Sequence, residues 1–291
     1  MFGKSFEFKG RDHKSVLQAF IKSMVDTCKA LNIELNAKID MNLSSQEKQK
    51  LNQQTKCFVC GSSFKDSKDR HLHHDHKIEK NNVIAYACQR CNTQMTEKRR
   101  TGIPIIFHNG SHYNWKILMQ EIGSIIEKEY PDQQSIDLTK KQGSIENVEV
   151  LGLNSENYIT IKWNNMWFLD SFKFMSGSLS ALVKTLTKED LQLANKLYNL
   201  NGIKDEEQIK ILSQKNIFPY IWFDSYDKFS ETALPERKYF EKDEDYEYAM
   251  NAWNILKCKT FEDYHDMYLI ADVVLLATCF QAFRKNIYNM H

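Results

Sequence analysis

Glycine and proline are scarce in this sequence, and its net charge is small. Its 291 residues include 10 glycines and 4 prolines, and 39 basic and 38 acidic side chains give a formal net charge of +1. So few chain-breaking residues, together with 12% aromatics, argue against disorder and for a packed globule. The net charge of the whole chain does not indicate a nucleic-acid partner. A surface that binds nucleic acid must therefore come from local patches of basic residues.

A long apolar stretch and a secretory signal are also missing. No apolar run approaches the ~20 residues that span a bilayer, and the charged start MFGKSFEFKGRDHK has no apolar signal core. These absences predict an intracellular protein without a membrane partner. Since thiols stay reduced in such compartments, the 7 cysteines favour metal binding over disulfides.

Helical and extended patterns alternate along the chain. Asp12 is a candidate N-cap for the first helix, and the polar segment 41–56 is typical of a surface helix or linker. Strands interleaved with helices indicate an α/β domain. The predicted elements are helices over 12–30, 178–215 (two or three) and about 260–285, and strands over 103–107, 146–152 and 157–163.

Two CxxC pairs carry the strongest chemical signal. They are formed by Cys57, Cys60, Cys88 and Cys91. Each pair can place two thiolates on one tetrahedral zinc ion, and a module of ~35 residues has too little core to fold without its metal. We therefore predict structural zinc; two disulfides or free core thiols are the alternative.

A histidine cluster lies between the cysteine pairs. The order His71-Leu-His73-His74-Asp75-His76, followed by Cys91-Asn92, resembles the HNH nuclease superfamily and most closely the recombination endonuclease VII family. The resemblance implies a treble-clef-like zinc module in which His74 is the general base and Asn92 and His73 hold magnesium. His73 stands where the family has aspartate, and a structural knuckle without cleavage chemistry is the alternative.

Three further segments resemble a second family. They are HNGSHYN at 108–114, LDSF at 169–172 with Ser178-Leu179, and YHDMYLIAD at 264–272. These look like the 3′–5′ exonuclease domain of protein-primed family B DNA polymerases, over nearly the whole chain. The resemblance implies a ribonuclease H-like fold, with the zinc module as an insertion, and a role in DNA replication as part of a nucleotidyltransferase.

Exonucleases of this family use four carboxylates to hold two magnesium ions. Asp272, with Tyr268 one helical turn earlier, matches the fourth position, but Asn114 stands at the third. A neutral amide gives a magnesium ion a weaker ligand than a carboxylate. No Asp-x-Glu motif precedes the cysteines, and Glu7 does not supply one, so we expect no exonuclease activity.

The resemblance also implies that other residues of these motifs bind single-stranded DNA, and this binding needs no metal ion. The resemblance assigns this role to Asn109, Tyr113, Ser178 and Leu179. Tyr113 as a core residue and Ser178 as a helix N-cap are the structural alternatives. The basic run Lys98, Arg99 and Arg100 adds a candidate phosphate contact, or else a solvated linker.

The sequence shows no palm aspartate pair and no template-binding Tyr-Gly-Gly. We therefore expect a truncated exonuclease domain that cannot polymerise DNA alone, whose partners are DNA, the missing palm and fingers region or a terminal protein, in the nucleus or at a viral replication site. The predicted division is 1–50 helical, 51–100 zinc module and 101–291 exonuclease domain. An active HNH endonuclease and a domesticated zinc-dependent DNA-binding protein are the competing functions.

Overall fold

A computed structural model of the chain describes residues 3, 5–35, 41–74, 82–95, 102–112, 114–129, 149–152, 158–163 and 165–289. The fold is mixed α/β, as the alternating patterns predict. Two compact units are present. The first comprises residues 1–22, 104–163 and 167–291, and the second comprises 23–103 and 164–166. The functional division into 1–50, 51–100 and 101–291 stays a prediction, as does the ribonuclease H-like fold.

Helix α1 (His13–Leu35) begins in the first unit and ends in the second. Asp12 caps it, because its carboxylate accepts the backbone N–H groups of Lys14 (3.3 Å) and Ser15 (3.1 Å). The predicted helix and its cap are thus confirmed, and the helix continues five residues beyond the predicted end at residue 30.

Besides the end of α1, the described part of the second unit contains two short helices and one hairpin. Helix α2 (Ser45–Asn52) forms within the polar segment, and Ser44 and Glu47 close a capping box at its start. Strands β1 (Arg70–His74) and β2 (Val83–Cys88) pair antiparallel and lead directly into α3 (Gln89–Met95). Helix α3 packs against both strands, so hairpin and helix form one small body.

Four strands of one sheet lie in the order β3–β6–β5–β4. Their bounds are β3 (Ile103–Phe107), β4 (Glu149–Gly152), β5 (Tyr158–Trp163) and β6 (Met166–Asp170). The predicted strand at 103–107 is confirmed, and β4 and β5 lie within the predicted strands at 146–152 and 157–163, of which residues 146–148 and 157 fall outside the described part of the chain. Strands β4 and β5 pair antiparallel as a hairpin. The chain just after β3 lies close to the chain just after β6, because those two strands are neighbours and the backbone N–H of Asn109 donates to the carboxylate of Asp170.

The rest of the first unit is helical, with α9 packed against α5, α6, α7 and α8. Buried tyrosine hydroxyls are satisfied in this core: Tyr198 donates to the carbonyl of Leu212, and Tyr264 to that of Ile217, both over 2.6 Å. The helices are α4 (Asn114–Glu129), α5 (Leu179–Val183), α6 (Lys188–Leu200), α7 (Glu206–Leu212), α8 (Asp243–Leu256) and α9 (Phe261–Asn289).

Helix α9 corrects one expectation from the sequence. By length and composition alone it is long and apolar enough to cross a membrane, although no such stretch was expected. A core helix of a soluble protein passes the same test, so this is weak evidence. The packing of α9 against four other helices is what a core helix shows.

Candidate functional site

The cysteine cluster lies in the second unit. Cys57 and Cys60 belong to a turn in which the Gly61 N–H donates to the carbonyl of Cys57 (2.9 Å). Gly61 has a φ of +71°, a conformation that glycine adopts without strain. Cys88 ends β2 and Cys91 lies in the first turn of α3, so the hairpin and helix present the second pair to the first.

The geometry of the four thiols fits a tetrahedral metal ion. Their sulfur atoms all lie within 4.8 Å of one another. The sulfurs of Cys60 and Cys88 are 3.9 Å apart, and zinc–sulfur bonds of ~2.3 Å at tetrahedral angles separate neighbouring sulfurs by ~3.8 Å. All seven cysteines of the chain are free thiols in the structure. The four cysteines can therefore hold one metal ion such as zinc.

Electrostatics at the cluster also suit a cation. Burial alone would raise the pKa of Cys57, but backbone N–H groups of Cys60, Cys88 and Val59 stabilise its thiolate and lower the pKa to about 6. The pKa of Cys91 rises to about 12, first through its hydrogen bond with Cys88 and then through burial. Because a bound divalent ion favours the thiolate form of every ligand, it would offset the cost of ionising Cys91.

Little apolar surface supports this module. Its buried hydrophobic cluster consists of Cys57, Ala87 and Cys91, with Phe64 and Cys88 packed against it. Three of these five side chains belong to the candidate metal ligands. A metal ion would therefore bind at the centre of the module's core, where its binding energy stabilises the fold directly.

The predicted nuclease residues lie in the same hairpin and helix. His73 lies in β1 opposite Ala85, and its ring centroid is 5.9 Å from that of Phe58. His74 ends β1 and Asn92 lies on α3. Among the described residues, no group of three histidine, cysteine or carboxylate ligands forms around His73 and His74.

Six predicted or motif residues fall outside the part of the chain that the structure describes. Two belong to the histidine motif, one to the HNGSHYN motif and three to the basic run. The residues are Asp75, His76, Tyr113, Lys98, Arg99 and Arg100. Their roles stay predictions.

Asp170 organises the HNGSHYN loop. Its carboxylate is buried, with 2% of the residue exposed, and it accepts the backbone N–H groups of Asn109 (2.7 Å), Ser111 (3.0 Å) and Phe172 (3.1 Å). Burial opposes ionisation, but the bonds from Ser111, Phe172 and Asn109 outweigh it, and the pKa of Asp170 lies below its usual range. The carboxylate therefore fixes the loop after β3 to the end of β6.

His108 joins the same loop to the start of α5. Its Nε2 donates to the carbonyl of Gly177 (2.9 Å), and its Nδ1 lies 3.0 Å from the hydroxyl of Ser171. The Ser171 hydroxyl also lies 2.8 Å from the carbonyl of Phe107. The loop around residue 108 and the stretch from 170 to 177, which are 61 to 69 residues apart in sequence, are thus held together by hydrogen bonds.

Two residues of this loop have specific backbone requirements. Asn109 has a φ of +61°, which asparagine tolerates better than most residues, and its side chain is exposed. A Cβ added to Gly110 would lie 2.6 Å from the Cβ of Phe107 and 2.9 Å from Nε1 of Trp115. The close approach to Phe107 and Trp115 therefore requires glycine at 110, and the positive φ favours asparagine or glycine at 109.

The next two predicted contact residues adjoin the loop. Ser178 is the N-cap of α5, where its hydroxyl accepts the Ala181 N–H (3.2 Å), so the structural alternative for this residue is observed. Leu179 is the first residue of that helix. Because Gly177 is bonded to His108, the start of α5 lies beside the loop that carries Asn109.

Asp272 has the partner that its apolar flanks require. The Nζ of Lys215 lies 2.6 and 2.8 Å from the two oxygens of Asp272, and it also contacts the Tyr268 hydroxyl. The Tyr220 hydroxyl is 2.6 Å from that of Tyr268. Burial, followed by the charge of Asp272, holds the pKa of Tyr268 well above its ordinary value.

Lys215 and Tyr220 were not found by sequence reasoning. The signal that was available is the cost of a carboxylate among apolar residues, which predicted a partner for Asp272 without identifying it. Asn114, the other predicted position of the exonuclease site, begins α4 with its side chain exposed. Within the described residues, Asp272 belongs to no cluster of three metal-ligating side chains.

Comparison with known protein families, curated proteins and solved structures found no match to this chain. The chemistry of its own residues is therefore the basis for assigning a function. Two features stand out: a four-cysteine metal site, and a hydrogen-bonded loop that joins the HNGSHYN segment to the LDSF segment and the start of α5.

Proposed function

We propose that this chain holds single-stranded DNA as a catalytically silent exonuclease segment of a protein-primed family B DNA polymerase. The proposal includes a ribonuclease H-like fold for the first unit, a treble-clef-like zinc module for the second, and an intracellular site of DNA replication. One observation carries it: Asp170 and His108 join the HNGSHYN loop to the LDSF segment and to the start of α5.

The geometry of the loop supports a binding role. Backbone bonds to Asp170 fix Asn109, while the Asn109 side chain remains exposed to solvent. A side chain on a fixed backbone loses little conformational freedom when it binds a ligand, which favours affinity. The start of α5, which carries Ser178 and Leu179, adjoins this loop through the bond between His108 and Gly177.

The surroundings of Asp272 support catalytic silence. Two-metal hydrolysis needs several carboxylates directed at the metal ions. The ammonium of Lys215 bonds both oxygens of Asp272 and neutralises its charge, so a cation must compete with a bound ammonium. The exposed side chain of Asn114 is a neutral amide, so it adds no negative charge that would attract a metal ion. Metal binding at this position is expected to be weak.

Zinc is the metal that we propose for the cysteine site. Tetrahedral sites with four thiolates select zinc or iron, and a redox-inert ion suits a structural site three of whose four ligands belong to the module's core. When bound, zinc would supply folding energy and no reaction chemistry. Cys57, Cys60, Cys88 and Cys91 would hold it.

Binding to DNA can be tested by fluorescence anisotropy with a labelled single-stranded oligonucleotide. Asn109→Gly removes the exposed amide but tolerates the positive φ, so we expect affinity to fall about fivefold, the equivalent of one hydrogen bond of ~1 kcal/mol. Asn251→Ala removes an exposed amide on α8 and serves as the matched control, with affinity unchanged. No binding by the unsubstituted chain, or equal loss in both variants, refutes the binding role.

A second candidate, an HNH-type endonuclease, is favoured by one observation. The hairpin and α3 place His73, His74 and Asn92 in a single small unit that also holds the cysteine cluster. Incubation with supercoiled plasmid and magnesium tests it. Nicking that is lost in His74→Ala, but kept in His13→Ala at an exposed position of α1, would replace the first proposal with this one.

A further inference from the structure

We propose that Glu7, His265 and Asp266 form a second metal site, for a divalent transition-metal cation that accepts one nitrogen and two carboxylate ligands. All three residues belong to the first unit, so the site is separate from the four cysteines. Glu7 precedes α1, whereas His265 and Asp266 are adjacent on α9. The ion would therefore join the N-terminal segment to the helix that forms the centre of the helical core.

The distances between the ligand atoms are those of a metal's coordination shell. Nδ1 of His265 lies 3.4 Å from Oδ1 of Asp266 and 3.7 Å from Oε1 of Glu7. With metal–ligand bonds of ~2.1 Å at tetrahedral angles, neighbouring ligand atoms are ~3.4 Å apart. All three ligand atoms lie within 4.8 Å of one another, so side-chain adjustments of about 1 Å would place them on one ion and leave its remaining positions to water.

Three aromatic rings hold the imidazole in this orientation. The His265 ring stacks on Phe223 (5.8 Å between centroids) and meets the edges or faces of Phe218 (5.8 Å) and Phe229 (4.8 Å). The apolar contacts leave Nδ1 facing the two carboxylates. A ligand whose ring is fixed by packing loses little entropy on metal binding.

The charges around the site leave room for a cation. Lys9 lies 2.7 Å from Glu262, 2.9 Å from each of the two oxygens of Asp266 and 3.5 Å from Glu7. One ammonium is therefore shared by three carboxyl groups, so acidic groups outnumber basic ones around the site. A divalent ion would displace Lys9 from Asp266, and Lys9 would keep its partner Glu262.

Neighbouring charged groups are engaged elsewhere. Asp263 accepts the backbone N–H groups of Lys259 (2.8 Å) and Thr260 (3.0 Å) at the start of α9. Arg11 is paired with Asp227. Neither pair needs to break for the ion to bind, and neither supplies a competing cation to the site.

Manganese is the probe for the experiment, on the full chain with its cysteine site loaded with zinc. Mn²⁺ prefers oxygen and nitrogen ligands and binds thiolates too weakly to displace zinc. Electron paramagnetic resonance of free Mn²⁺ during titration gives stoichiometry and affinity. We expect one strongly bound Mn²⁺ per chain, and an affinity at least tenfold lower in Glu7→Gln.

Two further variants make the result decisive. Glu262→Gln keeps all three ligands and is the matched control, with one Mn²⁺ bound and a smaller change in affinity than Glu7→Gln. His74→Ala removes the nuclease-motif histidine and should leave the titration unchanged. The proposal is overturned by absent Mn²⁺ binding, by equal losses in Glu7→Gln and Glu262→Gln, or by a loss in His74→Ala that Glu7→Gln does not share.

Discussion

The ammonium of Lys215 lies 2.6 and 2.8 Å from the two carboxylate oxygens of Asp272. Both side chains are mostly buried, with 23% and 28% of their surfaces exposed. A carboxylate in the sequence LIADVVLL needs such a partner, because an unpaired charge among apolar side chains is costly. The pair explains how an aspartate is accommodated among the apolar residues of α9.

Removing one member of this pair should destabilise the fold. Lys215→Met leaves Asp272 unpaired, and we expect the free energy of unfolding in urea to fall by about 1–3 kcal/mol. The double variant Lys215→Met with Asp272→Asn should recover part of that loss. Lys238→Met breaks an exposed pair with Glu236 and should change stability far less. Equal losses in the two lysine variants would contradict a buried pair.

Asp170 should make stability depend on acid pH. Its pKa is lowered in the folded chain, so the stability that it contributes is complete above its unfolded value and is lost as pH falls through the folded value. Asp170→Asn should reduce the free energy of unfolding at pH 7 by about 2–3 kcal/mol, with a smaller loss at low pH. Urea unfolding between pH 2.5 and pH 7 measures this.

Asp224→Asn, at an exposed position of the same unit, is the control for the acid profile. It should leave both the stability at pH 7 and the acid slope close to those of the unsubstituted chain. A profile for Asp170→Asn that runs parallel to the original one at all pH values would show that the carboxylate charge is not what fixes the loop.

Two N-caps separate a structural role from a binding role. Ser178 caps α5 and Thr187 caps α6, each through its hydroxyl. Alanine at either position should lower stability by about 0.5–2 kcal/mol. Only Ser178→Ala should also weaken single-stranded DNA binding, measured by anisotropy at a temperature where both variants are folded. If alanine at Ser178 and alanine at Thr187 change DNA affinity to the same extent, Ser178 acts only as a helix cap.

The cysteine site should contain one zinc ion per chain. Elemental analysis of protein purified without added metal should give this stoichiometry, and Cys91→Ser should lose the ion and the ordered structure of the module. Cys28→Ser changes a buried cysteine of α1 outside the cluster, so zinc content should remain at one. Iron in place of zinc, or zinc retained by Cys91→Ser, would contradict the assignment.

Local patterns predicted much of this structure. Helix α1 with its Asp12 cap, the β4–β5 hairpin and the long α9 all follow from periodicity and capping rules that act over a few residues. The spacing of the CxxC pairs likewise predicted that four cysteines meet. In each case the decisive contacts are short in sequence or are imposed by the ligand chemistry of the side chains.

The unpredicted features depend on contacts between distant segments. Lys215 and Asp272 are 57 residues apart, and Lys9 and Asp266 are 257 apart. No local rule identifies such partners, because the fold alone brings them together. The same reason applies to Asp170. The LDSF motif contains this residue, but the sequence does not predict that its carboxylate accepts the bonds that fix the HNGSHYN loop.

One measurement tests the central claim most directly. A 5′-labelled single-stranded oligonucleotide is incubated with the zinc-loaded chain and magnesium or manganese, and bound complex and oligonucleotide length are followed in the same samples. A silent DNA-holding segment should retain the oligonucleotide in complexes at full length. Metal-dependent shortening from the 3′ end that is abolished by Asp272→Ala would contradict it, as would the absence of any complex.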